Sequence, residues 1–228
     1  MKRLNLFFLA VALVAAALYS TPSVGANGRL DHILNQMQQA AGKINTLYAR
    51  MDQVKRLKDI GGKETYSGDV FFKHGKRGDD KVLINYSNGQ QVSVIGNEII
   101  LYQPNIYQAI ITTKQSRASE NQEFAFFATP YSLTAAELKA RYDVAHVADE
   151  QVGGVSTSVL KLTPKGKSAV REMKWWVDHN SWLPIKSEVV EQNGNVSTFT
   201  LSNLKLNGAL SDGAFKIKFR PGTKEIRK

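Results

Sequence analysis

The sequence contains no cysteine, which excludes a disulfide framework, a zinc–thiolate centre and a lipid-modified cysteine. It also lacks an acidic surplus: 30 Lys and Arg stand against 20 Asp and Glu, for a formal charge of +10. That balance suits an anionic partner, and equally a well-solvated surface with no partner at all. Beyond the N-terminus, no apolar run approaches the ~20 residues that a membrane-spanning helix needs. Catalytic patterns are missing as well. The four histidines, His32, His74, His146 and His179, lie far apart and show no metal-ligand spacing with carboxylates. No Gly-x-Ser-x-Gly elbow is present. Gly166-Lys167-Ser168 imitates the end of a phosphate loop, but position 161, where the first glycine belongs, is lysine. Asp178-His179 falls in a turn, where polar residues are expected anyway. The basic groups Lys73/Lys76/Arg77 and Lys224/Arg227/Lys228 read as solvated ends. Neither an enzymatic activity nor a cofactor or metal is expected.

What is present begins with an export signal. Lys2-Arg3 forms a positive start, Leu4 to Leu18 is apolar apart from Asn5, and Val24-Gly25-Ala26 offers small residues for cleavage before Asn27. Residues 1–26 therefore read as a signal peptide and residues 27–228 as a single domain. Loss of Lys2 and Arg3 lowers the charge from +10 to +8. An exported protein has little use for nucleic acid, so that partner is not expected.

The stretch Ser67–Pro104 organises the rest. Ser67–Lys73, Lys81–Tyr86, Gln91–Ile95 and Glu98–Tyr102 are short β-branched and aromatic runs, cut by Gly75/Gly78, Asn88-Gly89 and Gly96-Asn97. Such runs predict an antiparallel meander, with Asn88-Gly89 as a type I′ hairpin turn. Val70-Phe71-Phe72 and Ile99–Tyr102 are apolar at every position rather than at alternate ones. Both faces of this sheet should therefore be covered, by helices or by something the protein carries.

Around it, Leu30, Ile33, Leu34, Met37, Ala41 and Ile44 repeat at helical spacing, with Asn27 as a candidate cap and Asp31 near the positive end of the dipole. Leu47–Gln53 alternates as a strand. Ile106–Thr112 extends the meander, and Lys114–Glu123 reads as a polar loop. Phe124, Phe126, Phe127, Tyr131 and Leu133, broken by Pro130, suggest an aromatic flap over the sheet. Thr134–Arg141 carries a capping box, Thr134 with Glu137, and predicts a short helix. Strands are then expected at Tyr142–Val147, Val155–Thr163, Glu172–Asp178, Trp182–Glu191, Val196–Leu206 and Phe215–Phe219. With one connection long enough for a crossover helix, at Lys114–Arg141, the sheet should be antiparallel and sequentially connected. The fold class is mostly β (α+β). A curved antiparallel sheet should form an incomplete barrel, closed by the N-terminal helix and a short helical lid.

The order of these motifs resembles the periplasmic outer-membrane lipoprotein carrier family, LolA. Leu47-Tyr48-Ala49-Arg50-Met51-Asp52-Gln53 is similar to the family's aromatic-x-Ala-x-aromatic-x-Gln strand. Ser67–Lys73 resembles its Gly-x-hydrophobic-aromatic-hydrophobic-Lys strand, and Val82–Tyr86 stands where an aromatic-rich strand is usual. Gly96–Pro104 resembles its Asp-Gly-Lys-x-Leu-Trp-x-Tyr-x-Pro segment. Leu162–Lys165 and Phe215–Gly222 fit its later strands. Each motif alone is weak, and the weight lies in their order over nearly the whole chain after residue 26.

The resemblance implies an apolar cavity for lipoprotein acyl chains, received from an inner-membrane ABC transporter that releases lipoproteins and passed to an outer-membrane acceptor. The carrier would be periplasmic and monomeric. Candidate walls, one face of each strand, are Val70, Phe72, Val82, Ile84, Tyr86, Val92, Val94, Ile99 and Leu101, which could equally be ordinary core. Phe124, Phe126, Phe127, Tyr131 and Leu133 would form the lid. Where the family commonly has a lid-holding arginine this chain has His74, with Arg77 three residues on, so these two are the candidates for lid control. Ile100 replaces the usual tryptophan. The acceptor LolB is disfavoured, being anchored through a cysteine that is lacking here. The alternative reading is a periplasmic module of the same fold that senses lipid or lipoprotein and regulates a stress pathway. A lipid hydrolase is a third class, without an assembled nucleophile and base.

Overall fold

The computed structural model describes residues 26–75, 79–113, 131 and 133–228. The expected leader up to residue 25, together with Arg77, Phe124, Phe126 and Phe127, lies outside the described residues. The elements are α1 (Ala26–Ala41), β1 (Thr46–Leu57), β2 (Gly62–Lys73), β3 (Lys81–Tyr86), β4 (Gln91–Ile95), β5 (Glu98–Gln103) and β6 (Gln108–Thr113). They continue as α2 (Ala135–Arg141), β7 (Tyr142–Val152), β8 (Val155–Pro164), β9 (Val170–Asp178), β10 (Pro184–Glu191), β11 (Val196–Leu206) and β12 (Lys224–Arg227). All twelve strands form one sheet, in the order β12-β6-β5-β4-β3-β2-β1-β11-β10-β9-β8-β7. The sheet is open and curved, not closed into a barrel.

Two meanders, β1–β6 and β7–β11, meet where β1 pairs with β11. The sequential connection expected from loop lengths therefore fails at this junction. One pair, β12 with β6, is also parallel. The chain achieves this without a crossover helix because residues 207–223 run back along the sheet as a long extended strap. Phe215–Phe219, expected as a strand, belongs to that strap: Asp212–Phe215 is a single 3-10 turn, and no strand follows until Lys224.

Local chemistry explains the joints. The type I′ geometry sits at Gly153-Gly154, where both φ values are positive (57° and 84°) and Val152 pairs with Val155. At Asn88-Gly89 only the glycine is left-handed, at φ 88°. There, Gly89 N–H donates to Tyr86 O and Tyr86 N–H to Gln90 O, giving a three-residue loop rather than the expected type I′ turn. The capping box of α2 is complete: Thr134 Oγ1 accepts from Glu137 N–H, and the Glu137 carboxylate accepts from Thr134 N–H. Those bonds, from the Thr134 backbone first and its hydroxyl second, hold the Glu137 carboxyl below its ordinary value. The helix α1 already includes Ala26, which puts Asn27 inside it and not at the N-cap position expected, and Asp31 pairs with Lys139 of α2.

The strap covers the outer face of β2–β6. Asn207 begins it by accepting from Asn45 N–H at 2.7 Å and donating to Lys43 O. Asp212 bridges Lys73 and Lys81, cross-strand neighbours on β2 and β3, at 2.8 and 2.9 Å. Their hydrogen bonds hold the Asp212 carboxyl down to about 2. Phe215 is fully buried, and its carbonyl accepts from the buried Ser93 hydroxyl at 2.7 Å. Phe219 then packs on Tyr102, whose hydroxyl oxygen accepts from Arg220 N–H. The double-sided apolar pattern of β2–β5 thus has one of its covers in the chain's own C-terminal segment.

Candidate functional site

Strand register places all nine candidate wall residues on one face. From β1, Leu47, Ala49 and Met51 lie opposite Phe72, Val70 and Gly68 of β2. Phe72, Val70 and Gly68 in turn lie opposite Val82, Ile84 and Tyr86 of β3. Val82 and Ile84 face Val94 and Val92, which face Ile99 and Leu101 of β5. Gly68 is demanded by a close approach, because a Cβ there would meet Asn85 O at 2.4 Å. This face is the inner one. With Ile33, Leu34 and Met37 of α1 and Leu138 of α2, it forms one continuous apolar cluster.

The second meander contributes as much to that cluster. Leu160, Leu162, Met173, Trp175, Val177, Val189 and Phe199 share it. None of them was singled out from sequence. The signal was there as period-two alternation in Leu160/Leu162 and Trp175/Val177, but no motif drew attention to it.

Of the candidate lid residues, Tyr131 is buried with its ring 5.4 Å from Phe72, and burial pushes its hydroxyl pKa up. Leu133 packs against the same cluster. The candidate lid-control residue His74 holds Asp80 through Nδ1 at 3.0 Å, and its backbone N–H donates to Asn45 O just beyond α1. The gap enclosed by Leu34, Met37, Gln38, Leu133, Ala135, Leu138 and Trp175 amounts to about 10 Å³. That is roughly the least that admits one water. Around this gap α1, α2 and the sheet are packed against one another.

Polar contacts at the surface hold them so. Lys139 of α2 pairs with Asp31 of α1, and Ala135 N–H donates to Gln38 Oε1 at 2.9 Å. Arg29 of α1 pairs with Asp149 of β7. Burial alone would raise the Asp149 carboxyl; hydrogen bonds from His146 and Ser158, with the Arg29 charge, bring it below its ordinary value. His32 meets Trp182 edge-on at 5.5 Å. Trp182 is in the left-handed region at φ 56°, a costly conformation for a bulky residue, which turns its ring to α1. Beside it, Ala40, Lys43, Ile44, Leu183 and Leu206 line an open groove of about 210 Å³ on the outer flank of α1.

The Ser158, His179 and Asp149 group is not a nucleophilic triad. Ser158 Oγ donates to Asp149 at 3.0 Å, so at its 2.9 Å contact with His179 Nε2 the hydroxyl is the acceptor. The hydroxyl proton is therefore directed at a carboxylate rather than at a base that could activate the oxygen. Another polar atom stands out more. The indole Nε1 of the fully buried Trp175 has no hydrogen-bond partner among the described residues. Leaving such a donor unmet costs roughly 1–3 kcal/mol.

Residues 42–218 match the model of the outer membrane lipoprotein carrier protein LolA. The chain belongs to the LolA family. By sequence it has no significant match among curated proteins. Solved structures share the LolA-type fold at low identity. An uncharacterized conserved protein from Thermus thermophilus superposes with a TM-score of 0.55 at 11% identity, over 88% of this chain and 99% of that one. MucB gives 0.52 at 14%, over 82% of this chain and 62% of its own. A DUF1329 family protein from Desulfovibrio piger gives 0.50 at 16%, over 81% and 95%. Among the described residues, no helix is long and apolar enough to cross a membrane.

Proposed function

We propose that this protein is a periplasmic carrier that shields the acyl chains of lipoproteins between the inner face of its sheet and α1 and α2. It would receive them from an inner-membrane ABC transporter and release them to an outer-membrane acceptor, acting as a monomer. The observation that carries this reading is the continuous apolar inner face, capped by two helices whose outer fastenings are exposed polar pairs.

Magnitudes favour exchange of one apolar cover for another. The exposed pairs that fasten the helices contribute between nothing and about 1 kcal/mol each. The larger hold is burial of Ile33, Leu34, Met37 and Leu138, at roughly 1.5–3 kcal/mol apiece. An acyl chain of about fourteen methylenes gains about 11 kcal/mol on leaving water, at ~0.8 kcal/mol each. The two sums are of similar size. Cargo could therefore displace the helices from the sheet, and the helices could displace the cargo, without a strong polar anchor to prevent release.

Mass spectrometry of protein isolated from the periplasm without detergent tests this directly. Acylated lipoprotein or lipid should accompany it. Protein that is empty, and that takes up no acyl chain when offered one, would remove the carrier reading. A stable complex with a membrane-anchored regulator in place of lipid would favour the sensing role instead.

A further inference from the structure

We propose that the indole N–H of Trp175 reads the ester carbonyl of a bound acyl chain, so that the site selects acyl esters over ether-linked or plain hydrocarbon chains. This rests on the carrier reading and narrows the chemical class of its cargo.

Trp175 lies within β9 between Leu160 of β8 and Ser187 of β10, and its ring belongs to the inner apolar cluster. It also lines the small gap against α1 and α2. Purely as packing, a phenyl ring serves elsewhere on the same face, as Phe72 and Phe199 do. The next residue shows what a satisfied indole looks like here: Trp176, on the outer face, donates to Glu150 Oε2 at 2.7 Å. Trp175 is fully buried, and its donor finds no partner among the described residues. Trp175 lines the gap between the sheet and the two helices, so once α1 and α2 separate its indole would border the space an acyl chain fills. An ester carbonyl is a strong acceptor, an ether oxygen a weak one, and an alkyl chain offers none. A donor set in an apolar wall therefore discriminates by leaving itself unpaired against the wrong chain.

The test compares monodecanoylglycerol with its ether analogue decylglycerol by equilibrium dialysis on the full mature protein. The wild type should bind the ester about five- to tenfold more tightly, the worth of one hydrogen bond. Trp175→Phe should abolish that preference, bringing the ester-to-ether affinity ratio to about one whatever the change of wall volume does to the binding of both chains. If Trp175→Phe fails to fold, a benzothienyl analogue of tryptophan at position 175 removes the N–H at nearly constant volume. The indole Nε1–H resonance of Trp175 gives an independent reading. It should move on adding the ester and stay in place with the ether. Equal binding of both chains by the wild type, or a preference that survives loss of the N–H, overturns the proposal and leaves the carrier reading standing. The same holds if the indole resonance is unmoved because a permanent water occupies it. If the wild type binds neither chain, the carrier reading and this proposal fall together.

Discussion

The two halves of the sheet share one inner face but treat their outer faces differently. On β2–β6 the outer face, where Leu83, Ile100 and Tyr102 stand among Lys73, Lys81 and Ser93, lies under the strap, with Phe215 and Phe219 laid on it. On β8–β10 it is covered by its own side chains. Lys161 pairs with Glu172, Lys174 with Glu188, and Lys186 stands 4.1 Å over the Trp176 ring. The first half depends on residues more than a hundred positions away. The second half carries its own cover. A double-sided apolar pattern therefore need not signal cargo on both sides, and in this protein the candidate site is confined to the inner face.

The comparison breaks most visibly at Phe215. Phe215→Ala should cost about 3–5 kcal/mol in urea unfolding, the usual toll for emptying a buried aromatic site. Next is Ser93→Ala, which leaves the buried Phe215 carbonyl without its donor and should cost about 2 kcal/mol. On the other half, Lys161→Ala removes a half-exposed ion pair and should change stability by less than about 1 kcal/mol. If Lys161→Ala proves as damaging as Phe215→Ala, the two outer faces do not differ as argued. The smallest effect shows only in acid. The folded carboxyl of Asp212 lies at about 2, below its unfolded value, so its pairing with Lys73 and Lys81 adds stability at neutral pH. That contribution should fade as pH falls from about 4 toward 2. Asp212→Asn should flatten that part of the Tm profile, and an unchanged acid slope would show that the strap is not held there.

Much of the inner face was legible because period two and turn residues act together. Once Gly75, Asn88-Gly89 and Gly96-Asn97 limit the strands, alternate residues must share a face, and the nine expected wall residues do. The strap was not legible. Phe215-Lys216-Ile217-Lys218-Phe219 alternates just as a strand does, and an extended segment lying across a sheet has the same period as one paired within it. The parallel β12 was hidden too, because Lys224 and Arg227 read as a charged tail. Trp175 went unnoticed for a different reason: hydrophobic patterning counts an indole as apolar and says nothing about where its N–H ends.

The C-terminal strap has a consequence for the order of assembly. A ribosome delivers this chain from its N-terminus, so β2–β6 emerge long before Phe215 and Phe219 exist to lie on them. Until residues 207–223 have emerged, half the sheet presents sticky strands that only this strap can quench. A nascent chain stalled before that point should be the form most prone to aggregate and most in need of a chaperone.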